Sequence, residues 1–140
     1  MATNAPRLVY LDSSAILKLV VRETETDALA RYLGQAQTIA SEIASIEVPR
    51  AAYLKTGAEE TVSRAEELLR YFHLLELDDE LQREAARARP SELRTLDALH
   101  LVSALRVRDE IDAVVAYDRR LGEAARAAGL RVDAPGAGEC

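Results

Sequence analysis

The sequence predicts an α/β fold in which a mainly parallel sheet carries helices on both of its faces. Short apolar runs, such as LVYL at 8–11, alternate along the chain with longer amphipathic segments. Strands that alternate with helices in this way pair in parallel. The composition, with 49% hydrophobic and 30% charged residues over 140 positions, is that of one globular domain.

The first half of the chain shows residues that are typical of helix starts and ends. The turn-like Asp-Ser-Ser after the first strand lets Ser13 or Ser14 cap the next helix or donate hydrogen bonds to functional side chains nearby. Gly34 is a typical helix end. Ser41 is expected to cap a later helix, in which Pro49 removes one backbone hydrogen bond and predicts a kink. The predicted order is strand 8–11, helix 15–21, helix 24–33, strand 37–41, a helix from Ser41 to about Lys55, and helix 58–72.

The second half continues the alternation. Segment 78–89 has acidic residues at its start and arginines at its end, as the helix dipole favours. Segment 94–108 carries an apolar stripe with helical spacing. The predicted order is strand 73–77, helix 78–89, helix 94–108, strand 112–118, helix 119–129 and strand 130–132. The domain is therefore predicted to span residues 1–132, followed by a loose C-terminal tail at 133–140.

The chain has one cysteine and two histidines, too few for a disulfide framework or a cysteine-based zinc site. The sole cysteine, Cys140, excludes an internal disulfide framework and a cysteine-based zinc site. His73 begins an apolar strand and is expected to be structural. His100 is either a metal ligand or, as the favoured interpretation, a helix-packing residue bonded to a nearby acceptor. The chain lacks the parts of a Ser/His/Asp or Cys/His nucleophile set, and it has no glycine-rich phosphate loop.

Targeting signals are also missing from the sequence. No apolar run is long enough to cross a membrane, and the N-terminal MATNAPR lacks the apolar centre of a signal peptide. We therefore expect a cytoplasmic protein that does not contact membranes.

The formal net charge of −6 first argues against a nucleic-acid partner, because lysine and arginine neutralise phosphates. The basic residues comprise 16 arginines and 2 lysines. Arginine suits bidentate phosphate contacts, although a composition bias is the favoured explanation of the excess. If the acidic residues gather in one cation site, local arginines stay free to bind nucleic acid. Arg119 and Arg120 are the candidates.

Two acidic residues follow predicted strands. Asp12 closes the first strand, and Asp118 closes VVAYD. Parallel sheets bind ligands beyond the carboxyl ends of their strands, so both residues lie where a site is expected. Asp118 could equally cap the helix that follows it.

Two further acidic residues, Glu47 and Asp97, lie in mostly apolar helical segments. A buried carboxylate needs a partner. Taken singly, each favours a salt bridge, to Arg50 and Arg94 respectively, three residues away on the same helix face. Taken with the two strand-end aspartates, they are better explained by a shared divalent cation. Oxygen donors select Mg²⁺, with Mn²⁺ as a possible substitute.

Four segments in this order resemble the PIN-domain ribonucleases, and most of all the toxins of VapBC toxin–antitoxin pairs. They are VYLDSSAILKLV, IASIEVPRAA, TLDALHLVSAL and VVAYDRRLGEAARAAGL, of which LDALHL is the most specific. The acidic residues of the family fall on Asp12, Glu47, Asp97 and Asp118, which the resemblance implies to be catalytic and metal-binding. Pro49 departs from the family pattern and could shift Glu47 away from the metal.

The resemblance implies a PIN-like three-layer α/β/α sandwich. It implies a Mg²⁺-dependent endoribonuclease toxin that hydrolyses RNA phosphodiester bonds, tRNA among the substrates, with a metal-activated water. It further implies inhibition by a cognate VapB-type antitoxin, a homodimer, and contact with DNA only through the antitoxin.

Two other functions stay open. A PIN-like scaffold with weak or no activity could act as a binding module in an antitoxin repressor complex. Pro49 and the acidic charge favour that alternative, whereas the retention of all four acidic residues disfavours it. Another phosphotransfer fold is less favoured, because a haloacid-dehalogenase-type enzyme needs an aspartate where Ser14 stands and a receiver domain needs a lysine that VVAYD lacks.

Overall fold

The computed structural model of the protein describes residues 6–138. All the predicted elements are present in the predicted order, and most of the helices are shorter than predicted. The elements are β1 (Leu8–Leu11), α1 (Ser13–Val20), α2 (Thr26–Leu33), β2 (Gln37–Ser41), α3 (Ala44–Thr56), α4 (Glu59–Leu69), β3 (His73–Leu75), α5 (Asp79–Ala86), α6 (Thr95–Arg106), β4 (Ala113–Val115), α7 (Arg119–Ala127) and β5 (Val132–Asp133).

The strands form one sheet in the order β3-β2-β1-β4-β5, and every neighbouring pair is parallel. Strand β1 lies at the centre, where Tyr10 is in register with Ile39 of β2 and Val114 of β4. The chain leaves β1 toward β2 but leaves β4 toward β5. Such a reversal opens a crevice beyond the carboxyl ends of the two adjacent strands. Asp12 and Asp118 follow these two strands.

Alternate residues of β1 face two separate hydrophobic cores. Val9 and Leu11 pack with residues of α1, α2, α3 and α4, whereas Tyr10 packs with residues of α6 and α7. All three side chains are fully buried. The sheet therefore has helices on both faces, and the predicted α/β/α sandwich is confirmed.

The start of α1 differs from the prediction. Asp12, rather than Ser13 or Ser14, caps the helix, because its carboxylate accepts the N–H of Ala15 at 3.0 Å. Both serines lie inside α1. Aspartate and serine are equally good caps, so the turn-like Asp-Ser-Ser could not show which of them is used.

Helix α3 also differs at its start. It begins at Ala44 without a side-chain cap, and Ser41 ends β2 instead, where its hydroxyl accepts the N–H of Ile43 at 3.2 Å. Pro49 is buried inside α3, which runs unbroken to Thr56. Glu47 lies in the first turn, before Pro49.

Part of the expected loose tail is anchored. Asp133 ends β5, and the Tyr117 hydroxyl donates to the Pro135 carbonyl at 2.7 Å. Residues 1–5 of the N-terminal MATNAPR, and Glu139 and Cys140, lie outside the described residues. None of the helices within 6–138 is long and apolar enough to cross a membrane.

Candidate active site

Asp12 is held at the carboxyl end of β1 by residues of α1. It is 4% exposed, its two oxygens accept the Ser14 hydroxyl at 2.8 and 2.9 Å, and Oδ1 accepts the N–H of Ala15. Burial raises the pKa of Asp12 to about 6, although the His100 ring and these hydrogen bonds oppose the shift, and the charge of Asp118 adds to it. The site therefore contains a buried carboxylate that is costly to ionise.

Asp118 lies on the other side of the crevice between β1 and β4. Its Oδ1 accepts the N–H of Leu121 at 3.0 Å, so it caps α7. Its charge also raises the pKa of Asp12 and of Asp97. Asp118 therefore caps α7 and also lies close enough to Asp12 and Asp97 to influence their pKa values.

Asp97 lies half-buried in the first turn of α6. Burial raises its pKa, and the charges of Asp118 and Glu47 add to that effect, whereas the charge of Arg94 opposes it. The alternative of a salt bridge to Arg94 is not realised, because Arg94 forms no ion pair within the described part of the chain. Asp12, Asp97 and Asp118 are called the acidic trio below.

Two side chains form hydrogen bonds with the Glu47 carboxylate. The Ser13 hydroxyl donates to its Oε1 at 2.6 Å, and His100 Nε2 lies 2.8 Å from the same oxygen. Burial by itself would raise the pKa of Glu47, but the hydrogen bonds from His100 and Ser13 hold it below its usual value. The partner of Glu47 is therefore His100 and not Arg50, which helix spacing favoured as a salt-bridge partner.

The His100 ring joins the two helical layers across the edge of the sheet. Its Nδ1 lies 2.7 Å from the buried Tyr10 hydroxyl, and its Nε2 is also 3.3 Å from the Ser13 hydroxyl. In this arrangement the Tyr10 hydroxyl can donate to Nδ1 while Nε2–H donates to the Glu47 carboxylate. Burial and the charge of Asp12 raise the pKa of Tyr10, which keeps that hydroxyl protonated.

His100 is thus a packing residue with partners at both nitrogens, as the favoured interpretation predicted. Tyr10, Ser13, Glu47 and His100 are called the donor network below. Because α3 carries Glu47 and α6 carries His100, the network fixes the position of one helical layer against the other.

The donor chemistry of these residues suits a hard dication. The acidic trio and Glu47 offer only oxygen ligands, which Mg²⁺ and Mn²⁺ prefer. A bound dication would offset the burial and repulsion that raise the pKa values of Asp12 and Asp97. As the side chains stand within residues 6–138, no three acidic or histidine groups converge closely enough to hold a metal ion. The donor network engages only Oε1 of Glu47, so its second oxygen and the acidic trio are the candidate ligands, and they would have to draw together around an ion.

Arg119 and Arg120 begin α7, directly after Asp118. The side chain of Arg119 is 92% exposed and lies 3.7 Å from Glu123. Arg120 is exposed and lines a cavity together with Glu123. Their role in binding phosphate stays a prediction. His73 is exposed at the start of β3, two strands away from β1.

Comparison with known proteins agrees with this geometry. Residues 9–127 match the PIN domain family. The chain is 41% identical over 128 residues to ribonuclease VapC46 of Mycobacterium tuberculosis, a match that covers 91% of this chain and 97% of the relative. It belongs to the PIN-domain family of VapC-type ribonucleases. A second relative of this VapC type, ribonuclease VapC47 of Mycobacterium tuberculosis, is 36% identical over 137 residues and covers 93% of this chain and 98% of its own.

Solved VapC structures share the same fold. Mycobacterium tuberculosis VapC20, described as a toxin that cleaves the sarcin-ricin loop, matches with a TM-score of 0.70 at 17% identity, over 91% of this chain and 99% of its own. VapBC2 of Rickettsia felis, bound to a DNA fragment from its promoter, matches with a TM-score of 0.66 at 10% identity, over 91% and 98%. At these identities the likeness concerns the PIN fold alone.

The sequence predicted only part of the donor network. Tyr10 fits an apolar strand, whereas Ser13 and Ser14 fit either a helix cap or a hydrogen-bond donor beside a ligand, and both serines donate to a carboxylate. One signal was present, because His100 lies three residues after Asp97 and therefore occupies a neighbouring position on α6. The partners of His100 could not be inferred, since Glu47 and Tyr10 are 53 and 90 residues away in the chain.

Proposed function

We propose that this VapC-type PIN protein is a Mg²⁺-dependent endoribonuclease, the toxin of a type II toxin–antitoxin pair. The acidic trio is the observation that carries the proposal. Asp12 and Asp97 have raised pKa values because they are removed from water and share the crevice with Asp118. A buried carboxylate group without a counter-charge is costly, and a dication supplies that charge. The VapC relatives, which are named ribonucleases, support the same activity.

The acidic trio would hold the ion, and Glu47 would complete the ligand set. When bound, Mg²⁺, or Mn²⁺ in its place, activates a water for attack on phosphorus and stabilises the charge that grows on the leaving oxygen. Ser14 holds both oxygens of Asp12 and thereby sets the orientation of that carboxylate. Ser13 and His100 keep Glu47 ionised at neutral pH, so that its second oxygen can accept a hydrogen bond from a water.

Tyr10 and His100 act as positioning residues in this proposal. The Tyr10 hydroxyl fixes the ring tautomer that donates from Nε2, and the ring in turn fixes Glu47 Oε1. Groups that orient a ligand-bearing side chain contribute about 10- to 100-fold in metal affinity or activity. Tyr10 and His100 should therefore change metal affinity or activity measurably, although neither needs to contact the substrate.

The partners follow from the same proposal. The substrate is RNA, tRNA included, with Arg119 and Arg120 as phosphate contacts. A cognate VapB-type antitoxin inhibits the enzyme in the cytoplasm, the toxin is a homodimer, and DNA is contacted only through the antitoxin. The structural relatives include a VapBC complex and a toxin–antitoxin complex from Klebsiella pneumoniae, which supports an antitoxin partner.

The direct test is incubation of the protein with total RNA in Mg²⁺ and in EDTA. We expect endonucleolytic fragments in Mg²⁺ only, and none from the Asp97→Asn variant. Identical RNA patterns from a folded sample in both conditions, with an active control nuclease, would contradict the proposal and favour the scaffold alternative. Co-purification of a small antitoxin encoded beside this chain tests the toxin assignment separately.

A further inference from the structure

Tyr117 lies in the short connection between β4 and α7 and contacts three separate parts of the molecule. Its half-buried ring packs against the hydrophobic core that α1, α2, α3 and α4 share with the sheet. Its hydroxyl donates to the Pro135 carbonyl at 2.7 Å, and its N–H donates to the Ser14 hydroxyl at 3.4 Å. Because Asp118 is the next residue, these contacts restrain the connection that carries one member of the acidic trio.

The N–H of Tyr117 begins a chain of hydrogen bonds that ends on Asp12. The Ser14 hydroxyl accepts from Tyr117 and donates to the two oxygens of Asp12 at 2.8 and 2.9 Å. A hydroxyl has one hydrogen and two acceptor lone pairs, so Ser14 can fill both roles at once. Hydrogen bonds in such a chain polarise and strengthen one another. Tyr117 is therefore linked to Asp12 through Ser14 and to Asp118 through the peptide bond.

The ammonium group of Lys18 lies over the ring of Tyr117. Its Nζ is 4.7 Å from the ring centroid, and the Lys18 side chain is only 13% exposed. Glu25 and Glu23 bind the same ammonium at 3.0 and 3.4 Å. Burial by itself would lower the pKa of Lys18, but these two carboxylates outweigh burial and raise it, so the group is charged. A cation within about 6 Å of a ring centroid is attracted to the ring, and more strongly where water is excluded.

The second lysine of the chain offers a comparison. Lys18 and Lys55 are the only lysines beside 16 arginines, and both bind Glu23. Lys55 Nζ lies 2.7 Å from Glu23, but its side chain is 45% exposed. Within residues 6–138, Lys18 lies over an aromatic ring and Lys55 does not. One carboxylate thus binds a lysine that contacts Tyr117 and a lysine that does not.

We propose that Tyr117, held in place by Lys18, is a positioning residue for two members of the acidic trio. The N–H of Tyr117 orients Asp12 through Ser14, and Asp118 follows Tyr117 directly at the start of α7. The Lys18 ammonium restrains the ring and therefore the backbone that makes both connections. This inference rests on the proposed cation site and adds to it the residues that set the geometry of two of its ligands.

The first test compares the two lysines by calorimetric titration of the full chain with Mn²⁺. Lys18→Met and Lys55→Met each remove a charge and an ion pair to Glu23, while methionine retains an unbranched side chain. We expect about tenfold weaker Mn²⁺ binding by Lys18→Met, since groups that orient a metal ligand contribute about 10- to 100-fold in affinity. Binding by Lys55→Met should equal that of the wild type. Lys18→Arg should recover most of the affinity, because a guanidinium also stacks on aromatic faces.

The second test removes the ring itself. Tyr117→Leu should weaken Mn²⁺ binding at least as much as Lys18→Met. Tyr32→Leu is the matched control, because Tyr32 is also half-buried, has Arg7 at 4.7 Å from its ring centroid and donates its hydroxyl at 2.7 Å. It should leave Mn²⁺ binding unchanged. Circular dichroism establishes that each variant is folded.

A third measurement needs no metal. Hydrogen exchange at the Tyr117 amide, followed by NMR in the metal-free chain, reports how often its bond to Ser14 opens. We expect exchange about tenfold faster in Lys18→Met than in the wild type, and no change in Lys55→Met. A lysine that merely stabilised the fold would not single out this amide.

Equal Mn²⁺ affinities of Lys18→Met and Lys55→Met would overturn the proposal, as would equal exchange at the Tyr117 amide in these two variants. Failure of Lys18→Arg to regain affinity would also overturn it. Failure of the proposed function has a different signature, namely no Mn²⁺ binding by the folded wild type. In that case the exchange measurement still decides whether Lys18 holds Tyr117.

Discussion

Glu47 and Asp12 are carboxylates at the same edge of the sheet, yet their pKa values shift in opposite directions. Both are shielded from water, since Asp12 is 4% exposed and the Glu47 side chain 20%. Glu47 receives hydrogen bonds from Ser13 and His100, and its pKa is lowered. Asp12 also accepts hydrogen bonds, but it is more deeply buried and shares its crevice with Asp118, and its pKa rises to about 6.

The difference shows two ways in which a fold accommodates a buried carboxylate. In the donor network, hydrogen bonds from Ser13 and His100 stabilise the charge of Glu47 within the protein itself. At Asp12 and Asp97, the hydrogen bonds and opposite charges nearby are too few to offset burial and the repulsion from other carboxylates, so each of these two carboxylates binds a proton more readily than usual. In the proposed function, the trio is therefore the part that reacts, and the network supports it.

The largest effect is expected from the trio itself. Asp12→Asn and Asp97→Asn should each reduce Mg²⁺-dependent RNA cleavage at least about 100-fold, because an amide is a poor ligand for a hard dication. Without metal, the melting temperature should stay equal or rise, since like-charge repulsion is relieved. Gel-based cleavage assays and thermal melts measure the two effects.

Asp109→Asn, which removes an exposed charge from a turn, is the matched control for the loss of one carboxylate. It should leave cleavage unchanged. If Asp97→Asn unfolds the protein instead, Asp97 is a structural residue and does not share the proposed metal-binding role of Asp12.

A smaller effect is expected from the donor network. Tyr10→Phe should lower cleavage about tenfold, because the ring of His100 loses the hydroxyl that fixes its tautomer. Tyr32→Phe is the matched control, since the Tyr32 hydroxyl donates to Asp133, which belongs neither to the trio nor to the donor network, at the same 2.7 Å. Both changes should cost about 1 kcal/mol of stability. Equal cleavage by the two variants would show that the network does not position Glu47.

The pH dependence of stability should separate the two regions. The pKa of Asp12 is higher in the folded protein, at about 6, than the usual 3.8, so the folded state binds its proton more tightly. Its contribution therefore lowers the free energy of unfolding, by up to about 3 kcal/mol, as pH rises from about 4 through 6. Glu47 has the opposite sign: its stabilisation is lost as pH falls through its lowered pKa. Metal-free denaturant unfolding of wild type and Asp12→Asn measures the first contribution, which the variant should lack.

The smallest effect concerns the two roles of Asp118. Asp118→Asn retains a capping side chain, so stability should change by only a few tenths of a kcal/mol, whereas Asp118→Ala should cost about 1 kcal/mol. Asp78, which caps α5 by accepting the Leu81 N–H at 2.8 Å, provides the comparison outside the site. Asp118→Asn should lower the pKa of Asp12, measurable by NMR titration, and Asp78→Asn should not. An unchanged Asp12 titration would reduce Asp118 to a helix cap.

The sequence could predict the fold because its cues are local. Apolar runs and amphipathic segments alternate, and each element is specified within a few residues. The positions of Asp12 and Asp118 followed from the rule for carboxyl ends of parallel strands. The capping prediction failed at Ser13, Ser14 and Ser41, because several neighbouring residue types cap equally well.

The support of the site could not be predicted, because its contacts join distant parts of the chain. Local spacing favoured Arg50 as the partner of Glu47, but the fold brings His100 of the opposite helical layer to it. Tyr10 has the burial of an ordinary core residue, and only the folded register shows that its hydroxyl reaches a histidine. Spacing along one helix cannot reveal such pairs.

Calorimetric titration with Mn²⁺ at neutral pH most directly tests whether the acidic trio is a cation site, using the wild-type, Asp12→Asn and Glu47→Gln chains. We predict that the wild type binds Mn²⁺, that Asp12→Asn abolishes binding, and that Glu47→Gln weakens it. Equal binding by the wild type and Asp12→Asn, or no binding by the folded wild type at millimolar Mn²⁺, would contradict the assignment.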